Sequence, residues 1–339
     1  MAQVYHSDVI GSLLRPQYLQ RAREAREAGQ LSAPEFKRIE DRAVDQAIAM
    51  QEGAGLDVVT DGEQRRFSFF DQIIGELNGV SLIEGPGVHF RSATEEWEWH
   101  PPFTVTAKIS QRRKLTVEEF AYSRARATKT VKVTLPSPLF ICYLWSTELT
   151  GAVYTDAYEM FADAAAIIRA EAEELARLGC TYIQIDAPDM GTIVDPENRE
   201  LRESLGMPTE RTLTEGMEII NSVADVPGVT FGLHVCKGNN MSQWIGSGGY
   251  DFIAEAVFGR LTNFDIFLLE YDDDRSGSFE PLAELTARVH EAAKYTGLER
   301  LGVSTQCGFS STLPGANLTN EDVQERKLEL VAELAHHIW

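Results

Sequence analysis

A histidine and a cysteine, His234 and Cys236, flank Val235 at the end of an apolar, β-branched run at residues 229–235. Side chains i and i+2 of an extended strand share a face, so an imidazole and a thiolate placed this way can address one ion. Two further runs end in a similar manner: residues 264–269 lead into Glu270, and residues 300–305 stop just before Cys307. One nitrogen, two sulfurs and one oxygen make a donor set suited to tetrahedral zinc. Ligands drawn from three strand ends differ from the close CxxC pairs of structural zinc sites, and such a set can leave a position for substrate. Two thiolates and a carboxylate around a divalent cation give an anionic centre. That centre is a weak Lewis acid towards carbonyls, yet it lowers the pKa of an incoming thiol and holds it as thiolate. If Glu270 yields its position to that sulfur, the chemistry favoured is attack of sulfur on an alkyl carbon.

Taken alone, His234 and Cys236 read by default as a buried core pair, since cysteine is among the most buried residue types. The presence of Glu270 and Cys307 at other strand ends tips the balance to metal. Cys142 and Cys180 have no such context and read as core. Asp61, Arg65 and Arg66 suit a loop ion-pair network as readily as a functional role. Asp272, Asp273 and Asp274 read as a solvated turn, and Trp97 and Trp99 as packing or interface residues.

The elements that must position these groups alternate regularly. Apolar runs at residues 4–10, 57–60, 130–135, 182–186, 229–235, 264–269 and 300–305 are separated by stretches of helical period at 32–52, 156–178, 214–224, 250–258, 283–295 and 320–338. Strands apolar throughout and spaced by helices indicate parallel strands covered on both faces. Polar groups recur just after the runs, as in Gly11-Ser12, Asp61-Gly62-Glu63 and Asp186-Ala187-Pro188-Asp189. A TIM barrel gathers its active site from such strand ends, whereas an open sheet concentrates it at one switch point. The expected fold is therefore α/β, a TIM-type (β/α)8 barrel forming one domain over residues 1–339. Only seven strand candidates are found, so one strand is missing or irregular between Glu270 and Cys307. Residues 85–128 stand apart as an insertion of hairpin and helix, serving as a lid or a contact in a homo-oligomer.

The formal net charge is −21, from 52 acidic against 31 basic residues, which argues against nucleic-acid or membrane-surface partners. There is no GxGxxG or P-loop to suggest a nucleotide. No run of about 18 apolar residues is present, and residues 1–16 do not resemble a signal peptide. With four cysteines in 339 residues, a reducing cytoplasmic setting with thiols available to metal is expected.

The strings His-Val-Cys-Lys-Gly-Asn (234–239), Leu-Glu-Tyr-Asp (269–272) and Gln-Cys-Gly-Phe (306–309) resemble the cobalamin-independent methionine synthase family, closest to its short, single-barrel members. Asp-Gly-Glu-Gln-Arg-Arg (61–66), Gln-Ile-Asp (184–186) and Gly-Gly-Tyr-Asp (248–251) extend the likeness. The related epoxyalkane:coenzyme M transferases share the pattern. The resemblance implies zinc held by His234, Cys236 and Cys307, with Glu270 as the exchangeable ligand. It implies Ser12 on the carboxylate of homocysteine, and Glu63 and Asp186 on its ammonium, so that Glu270 and Asp186 are the acids expected to act in the reaction. Two carboxylates suit a thiol bearing an amine better than one bearing a sulfonate. The implied reaction is methyl transfer to homocysteine, giving methionine. The donor stays open between methyltetrahydrofolate and a methylcorrinoid protein, because this chain reads Asp186-Ala187-Pro188-Asp189 where the long members read Asp-Glu-Pro-Ala. Two other readings remain: an alkyltransferase acting on coenzyme M and an epoxide, and a non-catalytic zinc- or thiol-binding subunit.

Overall fold

The computed structural model describes residues 4–92, 95–240, 242–270, 279–311 and 319–339. Its strands, in chain order, are β1 (Ser7–Asp8), β2 (Val58–Val59), β3 (Leu77–Ser81), β4 (Val88–Arg91), β5 (Glu96–Trp99), β6 (Thr104–Gln111), β7 (Thr130–Pro136), β8 (Tyr182–Asp186), β9 (Thr230–Val235), β10 (Ile266–Leu269) and β11 (Val303–Ser304). All seven apolar runs contain a strand, and the architecture is α/β. The chain divides into two compact units, one of residues 1–68, 119–133 and 271–339, the other of residues 69–118 and 134–270.

In the first unit β1 pairs in parallel with β11, Ser7 opposite Val303, and β2 pairs in parallel with the start of β7, Val58 opposite Thr130. Helices Ala33–Ala54 and Glu321–Ile338 cover them, each with a clear start signal. Ser32 and Glu35 form a capping box on the first, and the Asn320 side chain accepts from the Val323 amide on the second. Gly55 ends the first helix at φ 91°, a conformation that favours glycine. Val9, Leu13, Ala47, Leu56, Phe309 and Leu328 pack together as this unit's core. Helix Gln17–Glu27 was not expected; it buries only Leu19 and Ala22, too little to leave a helical period in the sequence.

In the second unit β8, β9 and β10 are parallel neighbours, with Asp186 opposite His234 and His234 opposite Leu268. Helix Ala157–Arg177 is capped by the Asp156 side chain on the Tyr158 amide and buries an apolar face. The expected helix at 214–224 is instead a π turn, Thr212–Gly216, running into helix Met217–Val223. The 85–128 segment differs in its pairing. β4 pairs not with the strand at 104–111 but with β5, and that strand, β6, pairs with β3. Trp97 and Trp99 pack against Val88, Phe90 and Ile245, the packing role expected of them.

Among the described residues between Glu270 and Cys307 there is helix Leu282–Ala292, a 3-10 turn Leu298–Arg300 and β11. Asp272–Asp274 and the rest of 271–278 lie outside the described residues. No helix among the described residues is long and apolar enough to cross a membrane.

Candidate active site

The register of the second unit's sheet sets the surroundings of His234, Cys236, Glu270 and Asp186. His234 ends β9 facing inward, buried, and its Nδ1 donates to the Leu268 carbonyl oxygen of β10 at 3.1 Å. A neutral ring with its proton on Nδ1 carries its lone pair on Nε2, which is the metal-binding tautomer. Cys236, also buried, brings its sulfur within 4.8 Å of a ligand nitrogen of His234. The Gly238 amide donates to Cys236 Sγ at 3.2 Å, which favours thiolate over thiol. Glu270 follows β10 and is 3 % exposed; its Oε2 accepts from the Lys237 amide at 3.0 Å. The Tyr250 hydroxyl ties the strand ends together. It donates to the Val235 carbonyl at 2.8 Å and accepts from the Glu270 amide at 3.0 Å. Lys237 spans the ammonium–ring distance of 4.6 Å to the same tyrosine. Asp186 ends β8 level with His234 and is buried; Gln184, on the same strand face, donates to its Oδ1 at 2.7 Å.

Two glycines let the backbone close around Cys236. Gly238 sits at φ 95°, and a side chain at Gly191 would collide with the Cys236 carbonyl oxygen. Gly191 lies in helix Pro188–Thr192, which follows directly on Asp186 and Ala187. In that helix Asp189 is fully buried and accepts from Ser137 Oγ at 3.1 Å, and burial pushes its carboxyl up to about 6. Cys142 is buried and its thiol is likewise pushed up, to about 11, the behaviour of an inert core cysteine. Cys180, buried before β8, donates to the Tyr182 carbonyl at 3.3 Å. None of the four cysteines is in a disulfide.

The first unit holds Ser12, Glu63 and Cys307. Ser12 follows β1, buried; its Oγ accepts from the Ser310 amide at 3.4 Å and its carbonyl from the Phe309 amide at 2.8 Å. These bonds draw the segment containing Cys307 against the end of β1, and Gly308 is required because a Cβ there would strike Ser12 Oγ. Cys307 Sγ lies 3.7 Å from Ser311 Oγ. Glu63 is buried and adopts φ 52°, a left-handed conformation rare for a side chain of this size. It is fixed by its amide on Asp61 Oδ1 at 2.8 Å, and by its carbonyl accepting from Arg15 at 2.9 Å and from the Arg66 amide at 3.0 Å.

Sequence reading located His234, Cys236, Glu270, Asp186, Ser12, Glu63 and Cys307 at strand ends, and each is found at or just after one. It did not find the supports: the Leu268 carbonyl, the Tyr250 hydroxyl, Gly191 or Ser137. Backbone acceptors carry no residue signature, and Tyr250 is marked only by the Gly-Gly-Tyr-Asp string. As donors, an imidazole with Nε2 left for a metal and a buried cysteine sulfur beside it fit zinc, while the Glu270 carboxylate is not among the groups within 4.8 Å of one another.

Comparisons with known proteins show which family and fold the chain shares. Residues 6–244 match the family model described as "Cobalamin-independent synthase, Catalytic domain". A relative described as uncharacterized protein YxjH of Bacillus subtilis is 32 % identical, over 99 % of this chain and 95 % of its own length. The methionine synthase of Thermococcus kodakarensis is 26 % identical, over 89 % of this chain and 86 % of that protein. A solved structure of a B12-independent methionine synthase from Shewanella sp. W3-18-1, in complex with selenomethionine, has a TM-score of 0.76 at 20 % identity, covering 99 % of this chain and 98 % of that one. That last likeness shows the fold, which is that of TIM-barrel catalytic domains. The chain belongs to the cobalamin-independent synthase family as a catalytic-domain member, and with it to the methionine synthase-like methyltransferases.

Proposed function

We propose that the protein is a zinc-dependent thiol S-methyltransferase that converts homocysteine to methionine. His234, Cys236 and Cys307 are assigned as metal ligands, with Glu270 as the ligand displaced by substrate. The observation that carries this reading is the His234 Nδ1 bond to the Leu268 carbonyl, with the Cys236 sulfur beside the ring. It commits the imidazole to Nε2 ligation before any ion arrives. Zinc held there supplies the charge that keeps a thiol ionised at neutral pH. The protein's own groups do the rest. Leu268 retains the Nδ1 proton, and the Gly238 amide supports charge on Cys236. The Lys237 amide donates to Glu270 Oε2 and so satisfies one oxygen of this buried carboxylate, which would serve as the exchangeable ligand if zinc were held there.

Ser12, Glu63 and Asp186 are assigned to the amino-acid end of the substrate, the hydroxyl donating to its carboxylate and the two acids accepting from its ammonium. Glu63 and Asp186 are each buried, and a buried acid favours an ammonium over the sulfonate of coenzyme M. The methyl donor is methyltetrahydrofolate or a methylcorrinoid protein, to be distinguished by assaying each.

Titration calorimetry of the zinc-loaded protein with homocysteine and with coenzyme M tests the assignment. Homocysteine should bind at least about tenfold tighter, as expected for a charge-assisted ammonium contact. The reverse preference would favour the coenzyme M reading. Tight homocysteine binding with no turnover of either donor would favour a non-catalytic subunit.

A further inference from the structure

Arg66 is buried between two carboxylates. Its Nε and one terminal nitrogen form a fork on Glu119, at 3.1 Å and 2.7 Å to Oε2, while the other terminal nitrogen reaches Glu63 Oε1 at 3.1 Å. Glu119 comes from the first turn of helix Val117–Arg124, far in sequence from the 61–66 loop. Arg15, also buried, directs its guanidinium to the carbonyl oxygens of Leu13, Glu63, Arg66 and Ser310. Arg23 bonds the carbonyls of Gln64 and Arg66. Arg66 thus gives Nε and one terminal nitrogen to Glu119 and its other terminal nitrogen to Glu63.

We propose that Glu119 is a positioning residue for substrate: by occupying the fork of Arg66 it preserves on Glu63 the negative charge that receives the ammonium of an amino-acid thiol. This deepens the functional assignment above and rests on it. The charges make the case. Glu63 and Glu119 face Arg66, with Asp61, Arg15 and Arg23 around them and Arg65 and Glu40 beyond. Loss of the Glu119 charge makes the surroundings of Glu63 more positive by one unit, which opposes an ammonium. The fork of Arg66 can then turn onto Glu63 and engage both its oxygens. Burial pushes the Glu119 carboxyl up to about 7, against the pull of Arg66 and with Asp61 and Glu63 adding to the rise. Protonation of Glu119 near neutrality therefore does what its neutral amide would do.

The test is calorimetry of zinc-loaded wild type, Glu119→Gln and Glu119→Asp with homocysteine and with 4-mercaptobutanoate, the same thiol without the amine, from pH 6 to 8. Circular dichroism melting checks that each variant is folded. Glu119→Gln should weaken homocysteine about tenfold at pH 8, the size of one lost charge contact, and leave 4-mercaptobutanoate within about twofold. The homocysteine gap between wild type and Glu119→Gln should close towards pH 6, and Glu119→Asp should recover part of the loss. Equal weakening of both thiols, a gap independent of pH, or no effect would each overturn the proposal by reducing Glu119 to a loop support. If wild type binds neither thiol, the functional assignment itself fails, a result visible before any variant is made.

Discussion

The imidazole of His234 is committed by the strand beside it: the Leu268 carbonyl accepts the Nδ1–H hydrogen bond and leaves Nε2 for metal. Alternation along β9 was enough to read from sequence that His234 and Cys236 share a face. The tautomer was not readable, because its cause is a backbone oxygen 34 residues away. Asp189 was visible only as a departure from the Asp-Glu-Pro-Ala pattern; its complete burial and its bond to Ser137 came from the fold. Burial raises its carboxyl from 3.8 to about 6, so the folded protein binds more protons than the unfolded chain between those values. Stability therefore falls as pH rises through that window and stays lower above it. Asp189→Asn keeps an acceptor for Ser137 and removes the charge. It should raise stability at pH 8 by about 1–3 kcal/mol, with the gain disappearing towards pH 4. Urea unfolding at the two pH values measures this. A variant less stable at pH 8 would mean that Arg202, whose charge opposes the rise of the Asp189 carboxyl, compensates the charge.

Strands and helices were legible to different depths. Helices with strong caps, such as Ala33–Ala54 and Glu321–Ile338, were bounded to within two residues. Polar helices were lost, as with Gln17–Glu27, because hydrophobic period is the signal and little of that helix is buried. The apolar run at 4–10 contains a strand of only two residues, Ser7–Asp8, since burial continues past the point where the ladder of hydrogen bonds stops. The 85–128 segment was read as one hairpin because the strand at 77–81 was missed, and β6 pairs with that strand. Helix Pro188–Thr192 was invisible for its brevity, yet its Gly191 is what lets it sit against the Cys236 backbone. Gly191→Ala should force helix and strand end apart. The expected result is a loss of about 1–3 kcal/mol in urea unfolding, typical of overpacking, together with weaker zinc binding in a chelator competition. An alanine variant with unchanged stability and unchanged zinc affinity would remove this element from the account.

At the scale of the whole chain, composition excluded partners more readily than it identified any. A net charge of −21 disfavours nucleic acid and anionic lipid, while the thiol chemistry came from four residues among 339. If those residues bind zinc in the native state only, loading should stabilise the fold. Free zinc at about a thousand times its dissociation constant contributes about 4 kcal/mol, so chelation should lower the melting temperature by several degrees. Cys236→Ser should lose that dependence, whereas Cys142→Ser should keep it. The most direct test of the central claim is zinc X-ray absorption on the purified protein, with and without homocysteine. The account predicts one bound zinc with two sulfurs, from Cys236 and Cys307, rising to three when homocysteine is added as Glu270 withdraws. A zinc shell unchanged by homocysteine, or a protein that binds no zinc, would contradict it.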